Sequence, residues 1–156
     1  MAMTKATRYE RIRAQLAELF AATPEATARM ATAAALLHAK MPGVLWTGWY
    51  LLRDGDLAVG PYQGPLACLV LARHTGVCWA SIDRGATIIV DDVHAFPGHI
   101  ACDARSRSEI VVPARDRSHA IVGVLDVDST RLAHFDEADR AGLEAIVALI
   151  FAQQRA

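Results

Sequence analysis

Apolar residues at the start of the chain recur at helical spacing. Tyr9, Ile12, Leu16, Leu19 and Phe20 form one stripe, and Arg8, Glu10, Arg11 and Arg13 lie on the other side. Thr23 then reads as an N-cap with Pro24 at the first helical position. The helix it opens carries Met30, Ala33, Leu36 and Leu37 and stops at Met41-Pro42-Gly43. From Val44 the period changes to two. Val44–Leu52 predicts a strand, Asp54-Gly55 a tight turn and Leu57–Tyr62 the returning strand. Ala67–Leu71 and Thr87–Val90 are further short strands with a short helix between them, and a polar loop runs from Asp91 to Ser108. Glu109–Ala114 and Ala120–Asp128 pair about a turn near Arg117. Phe135-Asp136 opens a last helix whose Leu143, Ile146, Val147 and Ile150 form one apolar stripe.

Six strands joined mostly as hairpins, with helices at both chain ends, predict an α+β fold: an antiparallel sheet with the terminal helices packed on one face. The opposite face is left for loops and a ligand. A chain of 156 residues fits one domain over 1–156, and can bury about 70% of its unfolded surface. Apolar residues at 53% and charged residues at 21% are ordinary for a globular protein. A net charge of -1 gives no bulk attraction to nucleic acid or to acidic membranes. The N-terminus lacks the apolar region of a signal peptide, and the apolar stretches Ala31–Ala39 and Ala145–Ala152 are too short to span a bilayer. The expected location is the cytoplasm.

Cys68, Cys78 and Cys102 are an odd set without a C-x-x-C pair. A structural disulfide framework is not expected, and the spacing does not suit zinc, although His94 and His99 lie near Cys102. No metal is expected. The thiols are either inert core residues or redox-active ones. Cys102 sits in a loop behind Pro97 and Gly98, where reactive residues are more accessible than in a strand. His94, His99 or Arg105 would favour its thiolate, and Asp103 would oppose it.

Asp126 and Asp128 are two apart in a strand, so both point to one face, roughly 7 Å apart. A hairpin centred near Arg117 places Glu109 opposite residue 126. Three carboxyl groups then meet at one end of the sheet, where mutual repulsion raises at least one pKa unless a cation intervenes. One reading is a pocket for a ligand's ammonium group with one carboxyl kept as a general acid. The other is a cap from Arg105 or Arg107, or plain exposure at a strand end. Trp46, Gly48 and Tyr50 share one face of the first strand. Two rings flanking a glycine leave room for a small ligand, or else pack a core.

Several segments together resemble one family. Gly60-Pro61-Tyr62-Gln63-Gly64, Ala67-Cys68, Gly76-Val77-Cys78 and Asp92-Val93-His94-Ala95-Phe96-Pro97-Gly98-His99-Ile100-Ala101-Cys102-Asp103 occur in order. They are followed by Ser106-Arg107-Ser108-Glu109-Ile110-Val111-Val112-Pro113 and Gly123-Val124-Leu125-Asp126-Val127-Asp128-Ser129. The match, from about Trp46 to Leu143, is similar to the free methionine-R-sulfoxide reductases, a catalytic branch of the GAF-domain superfamily.

The resemblance implies reduction of free L-methionine-(R)-sulfoxide by a thiol, sulfenic acid and disulfide cycle. It implies Cys102 as nucleophile, Cys68 as its disulfide partner and Cys78 as a third participant whose role is open. Trp46 and Tyr50 would wall the sulfoxide methyl. Glu109, Asp126 and Asp128 would hold the amino group, with Glu109 or Asp128 protonating the departing oxygen. It implies no bound cofactor, thioredoxin as external reductant, and a homodimer. Trp79 departs from the family's small residue, and its ring is expected to narrow the pocket beside Cys78 or to alter that thiol's access. The rival readings are a non-catalytic GAF sensor for a small molecule and a dimerisation module built on the terminal helices. Neither uses the cysteines and the acidic group together.

Overall fold

Thr4 starts the first helix by accepting a hydrogen bond from the Thr7 N–H at 3.2 Å, and α1 runs Lys5–Phe20 in this computed structural model. The structure describes residues 1–99 and 102–152. Helix α2 (Ala26–Lys40) begins two residues later than the Thr23-Pro24 pattern suggests. The Thr23 hydroxyl accepts from the Glu25 N–H and so closes a local turn. The cap passes to Glu25, whose carboxylate accepts from the Ala28 N–H at 2.7 Å.

The sheet comprises β1 (Val44–Arg53), β2 (Asp56–Gln63), β3 (Val70–Leu71), β4 (Ile88–Val90), β5 (Ser108–Arg115) and β6 (Ile121–Ser129). Every pairing is antiparallel, in the order β3-β2-β1-β6-β5-β4. Asp54 and Gly55 both have positive φ, 51° and 83°, as the two-residue turn between twisted strands requires. β3 is shorter than expected, so Cys68 lies in the connection before it. Between β3 and β4 stands α3 (Gly76–Arg84), and α4 (Glu137–Ile150) closes the chain.

Strand alternation separates two cores. Trp49, Leu51, Ile110, Val112, Leu125 and Val127 face the helix layer of α1, α2 and α4. There the Trp49 indole N–H donates to the Met30 carbonyl at 3.0 Å. The terminal helices are pinned by polar contacts at their ends. Asp136 caps α4 through a capping box with Asp139, and the Tyr9 hydroxyl donates to Asp139 at 2.8 Å. Buried Arg29 donates to the carbonyls of Phe20, Leu149, Ile150 and Ala152, joining three helix ends. On the opposite face Trp46, Tyr50, Val111 and Val124 meet Val77, Cys78 and Trp79 of α3. α3 packs on β5 and β6 and roofs that face.

The β5–β6 register differs from the expected one by two residues. Glu109 pairs with Asp128 and Val111 with Asp126. The loop is centred on Ser118, with His119 at φ 67°, and Asp116 exchanges backbone hydrogen bonds with Ala120 and His119. A bulge between Ala114 and Arg115 adds the second residue. Because the shift is even, Glu109, Asp126 and Asp128 still share a face.

Candidate active site

Cys68 and Cys102 are joined in a disulfide with Cα atoms 5.7 Å apart, across 34 residues of sequence. Cys68 is half-buried, and the Tyr50 hydroxyl donates to its carbonyl at 3.0 Å, tying the β2–β3 connection to β1. Cys102 is exposed; Ile100 and Ala101, which precede it in the motif, lie outside the described residues. Arg105 does not serve Cys102. Its guanidinium is bidentate to Asp103, through Nε at 3.0 Å and Nη2 at 2.8 Å. These contacts hold the Asp103 carboxyl down at about 2.

Through Cys102 the disulfide borders a pocket that holds about 620 Å³ of empty space, counted out into the solvent at its mouth. Its floor carries Glu109 from β5, Asp126 and Asp128 from β6, and Cys78 from α3. Donor atoms of Cys78, Glu109 and Asp126 all lie within 4.8 Å of one another. Glu109 and Asp126 are 5% and 6% exposed. Burial pushes the Glu109 carboxyl well above the carboxylate range, and the charges of Asp126 and Asp128 add to it. Burial raises Asp126 to about 6, against hydrogen bonding from Glu109 and Cys78. Asp128 is raised by burial and by Asp126, and opposed by Ser106, whose hydroxyl donates to its Oδ1 at 2.7 Å. The Cys78 thiol is pushed up by burial and then by the three carboxyl groups.

No Lys or Arg is among the described residues that line the pocket; His99 is its basic side chain. The arginine-cap reading of the acidic group therefore fails. Among the described residues, Asp126 Oδ1 and the Trp46 indole N–H are buried without a hydrogen-bond partner. The roof ends in the first turn of α3, where Thr75, Gly76 and Val77 line the pocket. Thr75 leaves that turn uncapped, because its hydroxyl donates to the Arg73 carbonyl instead. The first-turn N–H groups are thus available to an anion.

Trp46 stacks between Tyr50, at 5.7 Å, and Tyr62, at 5.2 Å. The space over Gly48 is not ligand space: a Cβ there would lie 2.3 Å from Tyr62 Cβ and 2.5 Å from Trp46 Cη2. The glycine admits the rings, and the rings form the pocket wall. Trp79 does not narrow the pocket. One residue along a helix is a turn of about 100°, so Trp79 points away from the lining and packs on His74 at 4.8 Å, its indole N–H donating to the Leu71 carbonyl.

Comparison with known proteins follows the same geometry. The family model for the GAF domain matches residues 21–151. The free methionine-R-sulfoxide reductase of Escherichia coli is 40% identical over 146 residues, 94% of this chain and 88% of that protein. The chain belongs to the free methionine-R-sulfoxide reductase family of GAF domains. A solved structure of the Neisseria meningitidis reductase in complex with its substrate superposes at a TM-score of 0.90 with 39% identity, covering 96% of this chain and 90% of that one. A Burkholderia vietnamiensis protein, provisionally named a GAF sensor, superposes at 0.91 with 41% identity over 96% and 94% of the two chains.

Of the residues expected from this reductase family, Trp46, Tyr50, Cys78, Cys102, Glu109, Asp126 and Asp128 line one pocket, and Cys68 is bonded to Cys102. Sequence reasoning placed His99 near Cys102 but missed Ser106 and the open end of α3. Ser106 had one available signal, its place directly before the acidic strand, but its contact crosses from a loop to β6.

Proposed function

We propose that the chain reduces free L-methionine-(R)-sulfoxide with Cys102 as nucleophile and Cys68 as resolving thiol. The observation that carries this reading is a Cys68–Cys102 bond whose Cys102 lines a pocket with three carboxyl groups, Glu109 and Asp126 buried and Asp128 half-buried, and with no Lys or Arg among its described lining residues. A free amino acid supplies the missing cation: its ammonium group fits against Asp126 and Asp128. Its carboxylate fits the uncapped start of α3, and the Trp46–Tyr50 wall fits its methyl end.

In the reduced protein the Cys102 sulfur attacks the sulfoxide sulfur while a carboxyl group protonates the oxygen. The S–O bond breaks as the hydroxyl passes to Cys102 Sγ, the S–S bond formed by the attack breaks with its electron pair going to methionine, and Cys102 is left as sulfenic acid. Glu109 suits the donor role, because burial and the charges of both aspartates hold its carboxyl up, whereas at Asp128 the Ser106 hydroxyl opposes the rise. The Cys68 thiol then displaces water from the sulfenic acid, giving the disulfide, and an external dithiol of the thioredoxin type returns two electrons. Cys78 is a poor nucleophile here, since burial and three acids hold it as the thiol; its place is beside Asp126 and Glu109. The test is methionine release from free methionine-R-sulfoxide with thioredoxin, thioredoxin reductase and NADPH. Wild type turns over and Cys102→Ser does not. Equal use of the S epimer or of an N-acetylated substrate would sink the reading.

A further inference from the structure

The floor of the pocket is a mixed thiol and carboxylate donor set in which the proposed redox cycle uses the carboxyl groups of Glu109 and Asp126 but not the Cys78 thiol. Cys78 Sγ, a Glu109 oxygen and an Asp126 oxygen come from three separate elements, α3, β5 and β6, and lie within 4.8 Å of one another. A tetrahedral zinc ion with bonds of about 2.0–2.3 Å holds its ligands roughly 3.3–3.8 Å apart. Small side-chain rotations close that gap. Asp126 Oδ1 is buried and has no hydrogen-bond partner among the described residues, an open acceptor on a carboxyl group that Glu109 and Cys78 also approach. No Lys or Arg competes for it among the described lining residues.

We propose that Cys78, Glu109 and Asp126 form a binding site for a thiophilic divalent cation such as Zn²⁺, which blocks the pocket when bound. One sulfur donor and only three protein ligands select zinc over magnesium or calcium, which want six or more oxygens. The fourth position faces the pocket, where water completes the shell. Binding drives protons from the thiol and the carboxyl groups into solvent, so it strengthens as pH rises. The ion occupies the space assigned above to the substrate's ammonium group. The inhibitory consequence rests on the reductase reading; the metal affinity does not.

The experiment uses the full chain in its disulfide form, so that Cys78 supplies the free thiol. Zn²⁺ is titrated against a chromophoric chelator with Mg²⁺ as control, and Co²⁺ is used as a spectroscopic probe. The expected result is one Zn²⁺ per chain, no comparable Mg²⁺ binding, and a thiolate-to-cobalt charge-transfer band. Cys78→Ser abolishes the band, and both Cys78→Ser and Asp126→Asn weaken zinc by at least the roughly tenfold that even outer-shell changes cost. The His94–His99 pair, with exposed His94 and half-buried His99 and rings 6.2 Å apart, is the competing location. His94→Gln leaves the affinity unchanged if the proposal holds. Zinc affinity lost in His94→Gln, or kept in both Cys78→Ser and Asp126→Asn, overturns it. Sulfoxide reduction by metal-free protein is scored separately: turnover without zinc affinity defeats this site alone, and zinc affinity without turnover defeats the reductase reading alone.

Discussion

Cys102 and Cys78 carry the same side chain in opposite surroundings. Cys102 is exposed on a loop and already bonded to Cys68, whereas Cys78 is enclosed beside Asp126 and Glu109. Substitutions should separate their roles. Cys102→Ser is expected to release no methionine at all. Cys68→Ser is expected to release one equivalent in a rapid-quench single turnover and then stall with thioredoxin, because no resolving thiol forms the disulfide. A steady thioredoxin-dependent rate in Cys68→Ser would move the resolving role to Cys78. The carboxyl groups should separate as well. Glu109→Gln is expected to lower the single-turnover rate by about 10²-fold or more with substrate affinity nearly intact. Asp126→Asn and Asp128→Asn are expected to weaken binding by roughly ten- to hundredfold, the worth of a charge-assisted contact. Three variants with wild-type binding and rates would make the acidic group structural. These residues were legible in the sequence because strand alternation puts 126 and 128 on one face whatever the register. Ser106 was not, since nothing local shows that a loop hydroxyl reaches a carboxyl 22 residues away.

At the scale of elements, the helices and strands followed from apolar period and turn chemistry, and the misplacements have local causes. Thr23 lost its cap because its hydroxyl closed a turn on Glu25, and the β5–β6 register moved because a bulge and a three-residue loop are invisible to alternation. Trp79 shows the limit from the other side. A substitution read along the chain suggests a narrowed pocket, yet helical rotation carries the ring onto His74 and Leu71. Trp79→Ala is therefore expected to destabilise the protein, by about 3–5 kcal/mol for a buried ring, and to leave KM for the sulfoxide near wild type. A large fall in KM with unchanged stability would place the ring in the pocket after all. Gly142 offers a parallel case on the other layer. A Cβ there would meet the Tyr9 ring at 2.2 Å, where α4 crosses α1. Gly142→Ala is expected to cost about 1–3 kcal/mol by overpacking, read as a lower Tm with activity per folded molecule retained.

For the molecule as a whole, the pocket imposes a cost on the fold that its ligand relieves. Glu109, Asp126 and Asp128 all have carboxyl groups raised by burial, with no basic residue other than His99 among the described lining residues. For a group whose folded pKa lies above its unfolded value, the favourable condition holds below the unfolded pKa and is lost as pH rises through the folded one. For Asp126 that window runs from the ordinary aspartate value of 3.8 to about 6, and the raised carboxyl groups of Glu109 and Asp128 extend the loss upward. The ligand-free protein is thus expected to lose stability between pH 4 and neutrality through this group. Asp126→Asn removes the titration and gains on wild type across the window, by on the order of 2–3 kcal/mol. An amino-acid ligand reverses the effect by placing its ammonium among the charged forms. Free methionine or its sulfoxide should therefore raise Tm more at pH 7.5 than at pH 5, since ligand binding to the folded state alone adds stability in proportion to its affinity. Calorimetry of wild type and Asp126→Asn, each with and without saturating methionine at both pH values, decides the matter. If the ligand-induced rise in wild type is the same at both pH values, the ammonium group does not sit among these carboxylates.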